Sequence, residues 1–157
     1  MTEREIQITY QEYTSIEELN PEDRELASEA IHAMEGAYAP YSHFHVGAAV
    51  RMSNGQIVRG ANQENAAFPS GLCAERTAMF AASARYPDKD MQSIAIAGGV
   101  MGRLGSQPAT PCGACRQVMA QYQAKSGKPM SVLMVAQGQI LKFDKVDDIL
   151  PLIFNSI

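Results

Sequence analysis

Residues 70–86 read SGLCAERTAMFAASARY. Ser70-Gly71 closes a run, ANQENAAFPSG (61–71), that holds too many polar and turn-forming residues for a strand. From Leu72 onward Ala, Glu, Arg and Met dominate, residues that lose little conformational freedom on entering a helix. The composition predicts a largely buried helix over 72–86. Soon after it, SIAIAGG (93–99) is an apolar run of strand length. A helix set between strands is the unit from which α/β layers are built, so this stretch sets the fold class.

The flanking sequence extends the pattern. Asn20-Pro21-Glu22-Asp23 has the order of a helix start, with Asn20 as cap, Pro21 at the first helical position and acids in the first turn. Leu26, Ala30, Ile31 and Met34 then recur on one face, and Gly36 lies near the end of that helix. AYAPYSHF (37–44) reads as a loop. HVGAAVRM (45–52) and QIVRGA (56–61) flank Asn54-Gly55, a strong hairpin signal. Beyond the loop GRLGSQPAT (102–110), Pro111 opens a second buried helix, CGACRQVMAQYQA (112–124). MSVLMVAQ (130–137) and QILKF (139–143) read as strands, and VDDILPLIF (146–154) as a final short helix or turn. Near the start, Ile6, Ile8 and Tyr10 alternate with polar residues and predict a short strand. The sum is an α/β fold: a three-layer α/β/α domain with a mixed, about five-stranded sheet and a short N-terminal strand extension.

With 157 residues the chain has the length of one domain, residues 1–157, able to bury roughly 68–70% of its unfolded surface. Hydrophobic residues make up 46% and charged residues 19%, an ordinary globular balance. Net charge is -4 with no dense Lys/Arg run, which argues against a nucleic-acid partner, because a phosphate backbone needs a basic face. MTEREIQITYQEY lacks the apolar core of a secretory signal, and no run approaches a membrane span, so no membrane partner is expected. Three cysteines without such a signal point to a reducing, cytoplasmic location, where Cys-x-x-Cys suggests metal or redox chemistry.

All three cysteines fall at predicted helix starts. Cys112 and Cys115 are spaced i, i+3, so both thiols can face one point. Helix N-termini carry partial positive charge and favour thiolate. Two such termini converging would form a three-thiolate pocket for zinc, with a fourth position open for water as catalytic sites require. Bland readings stand beside this one. Cys73 taken alone is a small core thiol. Cys112 and Cys115 taken alone are a thioredoxin-like redox pair. A closed structural site would recruit His32, His43 or His45, none at a recognised spacing. Glu75, two residues after a ligand, could lean over the open position as an acid–base group. Zinc with three thiolates is formally anionic, and the neighbouring Arg76 is the candidate counter-charge. Taken alone, Glu75 and Arg76 would be a solvated surface pair.

CAER (73–76) with PCGACRQ (111–117) resembles the signature of the cytidine deaminases, specifically the small three-cysteine type. YSHFHVGAA (41–49), NQEN (62–65) and ILPLIF (149–154) also have counterparts in that family, so the likeness spans most of residues 21–154. The resemblance implies zinc, one per subunit, on Cys73, Cys112 and Cys115. It implies Glu75 as the catalytic proton shuttle in hydrolysis of cytidine or deoxycytidine to the uridine product and ammonia, in pyrimidine salvage. It further implies that Phe44 packs on the base, that the Ala74 backbone N–H holds the pyrimidine carbonyl, and that Asn62 and Glu64 bond the ribose hydroxyls. Phe154 matches an aromatic that reaches a neighbouring subunit's site in a homotetramer. His45 stands where the family very often has Pro, and Gln63 where a small apolar residue is common. Rival readings are a relative acting on another free nucleoside, and a non-catalytic protein whose cysteines only brace the fold. The resemblance gives no function to residues 1–19.

Overall fold

Alternation along the central strands decides the layering. The computed structural model describes residues 1–155. Its elements run β1 (Gln11–Tyr13), α1 (Pro21–Ala33), β2 (Phe44–Met52), β3 (Ile57–Ala61), α2 (Ala74–Arg85), β4 (Met91–Val100), α3 (Gly113–Ser126), β5 (Ser131–Ala136) and β6 (Gln139–Phe143). They form one six-stranded sheet in the order β1-β6-β5-β4-β2-β3, with β4 and β5 parallel and the other pairs antiparallel. Ile94 and Ile96 of β4, with Val132 and Met134 of β5, face a cluster that includes Ala78 and Met79 of α2 and Met119 of α3. Ala95 and Ala97, with Leu133 and Val135, face Leu26, Ala27 and Ala30 of α1. One helix therefore covers one face and two cover the other, which gives the three α/β/α layers that the sequence predicts.

Local signals account for the ends of these elements. The Asn20 side chain accepts from the Asp23 N–H at 2.9 Å, and Pro21 fills the first turn of α1. Between β2 and β3 the chain turns at Asn54-Gly55, where Gly55 has φ 82°, a conformation open to glycine without strain. Helix α2 lies close on β3: a Cβ at Gly60 would sit 2.3 Å from the backbone nitrogen of Ala78. That contact sets how near α2, and the cysteine at its start, lies to the sheet.

Several boundaries differ from the sequence reading. Ile6, Ile8 and Tyr10 are exposed and belong to no strand; the N-terminal strand is Gln11–Tyr13, paired with Lys142, Leu141 and Ile140 of β6. Alternation predicts a two-faced strand, but only Gln11–Tyr13 lies beside an open sheet edge, and ladder bonds need a partner. Cys112, not Pro111, caps α3. The two later helices are amphipathic rather than largely buried: α3 buries Cys115, Met119 and Ala120, and Phe80 of α2 is exposed. After β6 the expected short helix or turn is a 3-10 turn at Val146–Asp148, the one helical element that follows β6 among the described residues. No helix among the described residues is long and apolar enough to cross a membrane.

Candidate active site

The site is assembled where two helices begin. Cys73 is the N-cap of α2 and Cys112 the N-cap of α3, with Cys115 one turn further on. Neither cap sulfur accepts from a backbone N–H of its own helix, as the oxygen of a Ser or Asp there would. Instead the sulfurs face each other. Cys73 Sγ lies 3.9 Å from Cys112 Sγ, which lies 3.5 Å from Cys115 Sγ, and all three fall within 4.8 Å of one another. Tetrahedral zinc with sulfurs at about 2.3 Å needs sulfurs about 3.8 Å apart, so the donor set fits the metal in number, type and spacing. All three cysteines are free, and no histidine belongs to the cluster among the described residues. The arrangement therefore differs from a two-thiol redox pair and from a closed site completed by His32, His43 or His45. Cys73 is half-buried and faces the cluster, so it is no ordinary core thiol.

Thiols this close share protons unequally. Hydrogen bonding from Cys115, with Arg76 and Cys112 adding to it, pulls Cys73 down to about 5 despite its burial. Cys115 moves up for the reciprocal reason, as the donor to Cys73 in a buried position. The Arg76 Nη2 stands 3.7 Å from Cys73 Sγ, and its Nε is buried with no partner among the described residues. Arg76 thus sits beside the sulfurs, where it can offset their charge, rather than in a solvated pair with Glu75.

Glu75 is 4% exposed. Burial pushes its carboxyl up to about 7, and the neighbouring Cys73 charge pushes the same way. With Cys73, Ala74 and Cys112 it lines a cavity of about 350 Å³, whose other walls include Phe44, Asn62, Ala109 and Thr110. A second cleft of about 570 Å³ meets the first at Asn62 and Cys73, and is lined further by Ser42, Glu64, Phe68 and Arg76. Phe44, Asn62, Ala74 and Glu75 are therefore gathered with the cysteines, and Glu64 lies alongside. Phe154 is not: it is 66% exposed and lines neither cleft, and its carbonyl accepts from Gln117 Nε2 at 2.6 Å.

Asn62 and Glu64 are both tied to the segment before β2. The Asn62 side chain accepts from the Val46 N–H at 2.8 Å and donates to the Phe44 carbonyl at 2.9 Å. The Glu64 carboxylate accepts from the backbone N–H groups of Tyr41 at 2.8 Å and Ser42 at 3.2 Å, and from the Ser42 hydroxyl. The Ser42 hydrogen bond holds the Glu64 carboxyl below its ordinary range. His45 pairs with Gly99 in the β2–β4 ladder, and Gln63 donates to the Gly36 carbonyl at 3.0 Å.

Four contributors escape the sequence reading. Ala109 and Thr110 line the cavity. Arg116 donates to the Pro111 carbonyl at 2.8 Å and the Ile149 carbonyl at 2.9 Å, fixing the entry to α3. Gly98 leaves room beneath them, since a Cβ there would come within 3.1 Å of the Phe44 ring and 2.9 Å of the Ala109 Cβ. Only their place beside the cysteine motifs marks Thr110 and Arg116 in the sequence.

A family model described as the cytidine and deoxycytidylate deaminase zinc-binding region matches residues 20–128. A cytidine deaminase of Halalkalibacterium halodurans is 50% identical over 96 residues, covering 61% of this chain and 68% of the relative. One from Sporosarcina psychrophila is 42% identical over 97 residues, covering 62% and 67%. Among solved structures, the cytidine deaminase of Burkholderia pseudomallei superposes with a TM-score of 0.70 at 40% identity, over 83% of this chain and 97% of that one. That of Mycobacterium tuberculosis gives 0.68 at 29% identity, over 87% and 100%.

Proposed function

The chain belongs to the cytidine and deoxycytidylate deaminase zinc-binding family, and from that premise we propose that it hydrolyses the C4 amino group of cytidine and deoxycytidine, releasing ammonia. The observation that carries the reading is the three-sulfur cluster, two of whose cysteines, Cys73 and Cys112, line one cavity with the buried Glu75 carboxyl. Cys73, Cys112 and Cys115 hold one zinc, which when bound brings the pKa of water toward 7 and so supplies a nucleophile at neutral pH. Glu75 moves the protons. Its carboxylate takes one from the attacking water and delivers it to ring N3, then takes the second from the new C4 hydroxyl and passes it to the departing amino nitrogen, so that the C4–N bond breaks and cytidine and water become uridine and ammonia. One buried carboxyl can act as base and then as acid in the same turnover. Arg76 offsets the excess negative charge of the three thiolates.

Substrate is held by the walls of the cavity. Phe44 packs on the base, and the Ala74 N–H, in the first turn of α2, meets the pyrimidine carbonyl. Asn62, at the junction of the two clefts, and Glu64, in the second of them, face the sugar hydroxyls. A net charge of -4 supports a free nucleoside over a polynucleotide as substrate. We place the activity in pyrimidine salvage in the cytoplasm, with residues 1–157 acting as one catalytic domain and no membrane partner. Phe154, exposed on its own protomer, is available to enter a neighbouring site, which supports a homotetramer with shared pockets. Purified protein is to be offered cytidine, deoxycytidine, cytosine and adenosine, following ultraviolet absorbance. Turnover of the two cytosine nucleosides alone is expected; turnover of neither, by zinc-replete protein, overturns the reading.

A further inference from the structure

We propose that Ser42 is a positioning residue whose hydroxyl locks the Glu64 carboxylate to the backbone of Phe44, so that sugar and base recognition form one rigid unit. The inference rests on the reading of Glu64 and Phe44 given above.

The polarity of the contacts supports it. A hydroxyl offers one donor and two acceptor sites. Ser42 Oγ donates to Glu64 Oε1 and accepts from the Phe44 N–H at 3.1 Å, so its donor and one acceptor are both engaged. The other carboxylate oxygen, Oε2, accepts from the Tyr41 and Ser42 N–H groups at 2.8 and 3.2 Å. Those two backbone donors hold one oxygen only and leave the carboxylate free to swing about it. The Ser42 hydroxyl pins the second oxygen and thereby fixes the plane of the group. An ionised carboxylate accepts about four hydrogen bonds. Three are taken here, which leaves capacity for a ligand hydroxyl from the cleft that Glu64 lines.

The far side of Phe44 is held in the same manner. Its carbonyl accepts from Asn62 Nδ2 at 2.9 Å, and the backbone of the 62–64 segment closes the ring, with Glu64 N–H bonded to the Tyr38 carbonyl at 2.8 Å and Tyr38 N–H to the Asn62 carbonyl at 2.9 Å. Between Ser42 and Phe44, His43 has φ 56°, a left-handed conformation that a residue with a side chain rarely adopts without surrounding support. The His43 carbonyl accepts from the Met101 N–H at 2.8 Å, and its own N–H donates to the Ala39 carbonyl at 3.0 Å. Phe44 thus leaves the turn in one fixed direction, and Ser42 couples that direction to Glu64.

The test compares cytidine with dideoxycytidine, which lacks both secondary sugar hydroxyls, as substrates of the zinc-replete enzyme. Ser42→Ala is expected to raise KM for cytidine about tenfold or more while kcat stays within about twofold, the size of effect that loss of a hydrogen bond to a charged group gives. The preference in kcat/KM for cytidine over dideoxycytidine should shrink severalfold, because the loosened Phe44 affects both substrates alike whereas the loosened Glu64 affects only the one that carries the hydroxyls. Ser42→Thr, which keeps the hydroxyl, should restore the preference. A merely structural Ser42 would lower both substrates together and leave the ratio unchanged, and that result overturns the proposal, as does a narrowed ratio that Thr fails to restore. Should Ser42→Ala not fold, Ser42→Gly, which also lacks the hydroxyl, is read the same way. Wild-type protein that turns over neither nucleoside sinks both this inference and the deaminase reading; an active wild type with an unchanged ratio sinks this inference alone.

Discussion

At the scale of the residue, Glu75 is a carboxyl kept from water, and its raised pKa has a measurable consequence. Below the ordinary value of 4.5 both folded and unfolded chains are protonated at this site, and it has no effect on stability. As pH rises from there toward 7, the unfolded chain releases a proton that the folded chain keeps, so folding is progressively disfavoured; above 7 the penalty is constant. In zinc-stripped protein, Glu75→Gln is therefore expected to be more stable than wild type by on the order of 3 kcal/mol at about pH 8, and equal to it at about pH 4. Denaturant unfolding across that range checks the slope, and a difference that does not vary with pH would contradict it. Arg76→Ala, by removing the cation 3.7 Å from Cys73 Sγ, should weaken zinc binding by about tenfold to a hundredfold, read by competition with a chelator. The three cysteines were legible in the sequence because their chemistry is rare and their spacing marks helix starts. The bond between Ser42 and Glu64 was not, since a contact between segments 22 positions apart leaves no periodicity.

At the scale of the element, the two N-termini that carry the cysteines are aimed by how their helices lie on the sheet. Helix α2 touches β3 at Gly60, where added bulk would meet the backbone of Ala78. Gly60→Ala should cost roughly 1–3 kcal/mol and reduce bound zinc, because the shift propagates to Cys73 at the start of the same helix. Thermal melting and metal content together test this; lower stability with full zinc would show that α2 yields without moving its N-terminus. On the opposite face, Asn20→Ala removes the cap of α1 and should cost about 1 kcal/mol with zinc content unchanged. Caps, the Asn54-Gly55 turn and the apolar central strands could be read from the sequence because each is a local preference. The N-terminal strand could not be placed: alternation at Ile6, Ile8 and Tyr10 describes a surface, whereas the ladder forms at Gln11–Tyr13, where the β6 edge lies. That edge is a product of the tertiary fold.

At the scale of the whole molecule, the α/β/α layering follows from alternation in β4 and β5, and it brings residues from five separate stretches of chain around one cavity. The layering and the metal ligands were visible from residue types. The walls at Ala109 and Thr110 were not, because small loop residues carry no signature of where the chain returns. Phe154 is 66% exposed and lines neither cleft, and the proposed tetramer gives it a place across a protomer boundary. Light scattering is expected to give about four times the chain mass of 17.0 kDa. Phe154→Ala should raise KM for cytidine without lowering the melting temperature of the assembly, and a monomeric wild type would remove the shared pocket. The central claim is that the Cys73–Cys112–Cys115 cluster and Glu75 form one hydrolytic centre. The measurement that tests it most directly is ammonia release from cytidine by zinc-replete wild type beside Glu75→Gln. The wild type is expected to yield ammonia and uridine in equal amounts, and the variant, at one zinc per chain, to lose at least about 10²-fold of that rate. Equal rates from the two proteins, with zinc fully retained, would contradict it.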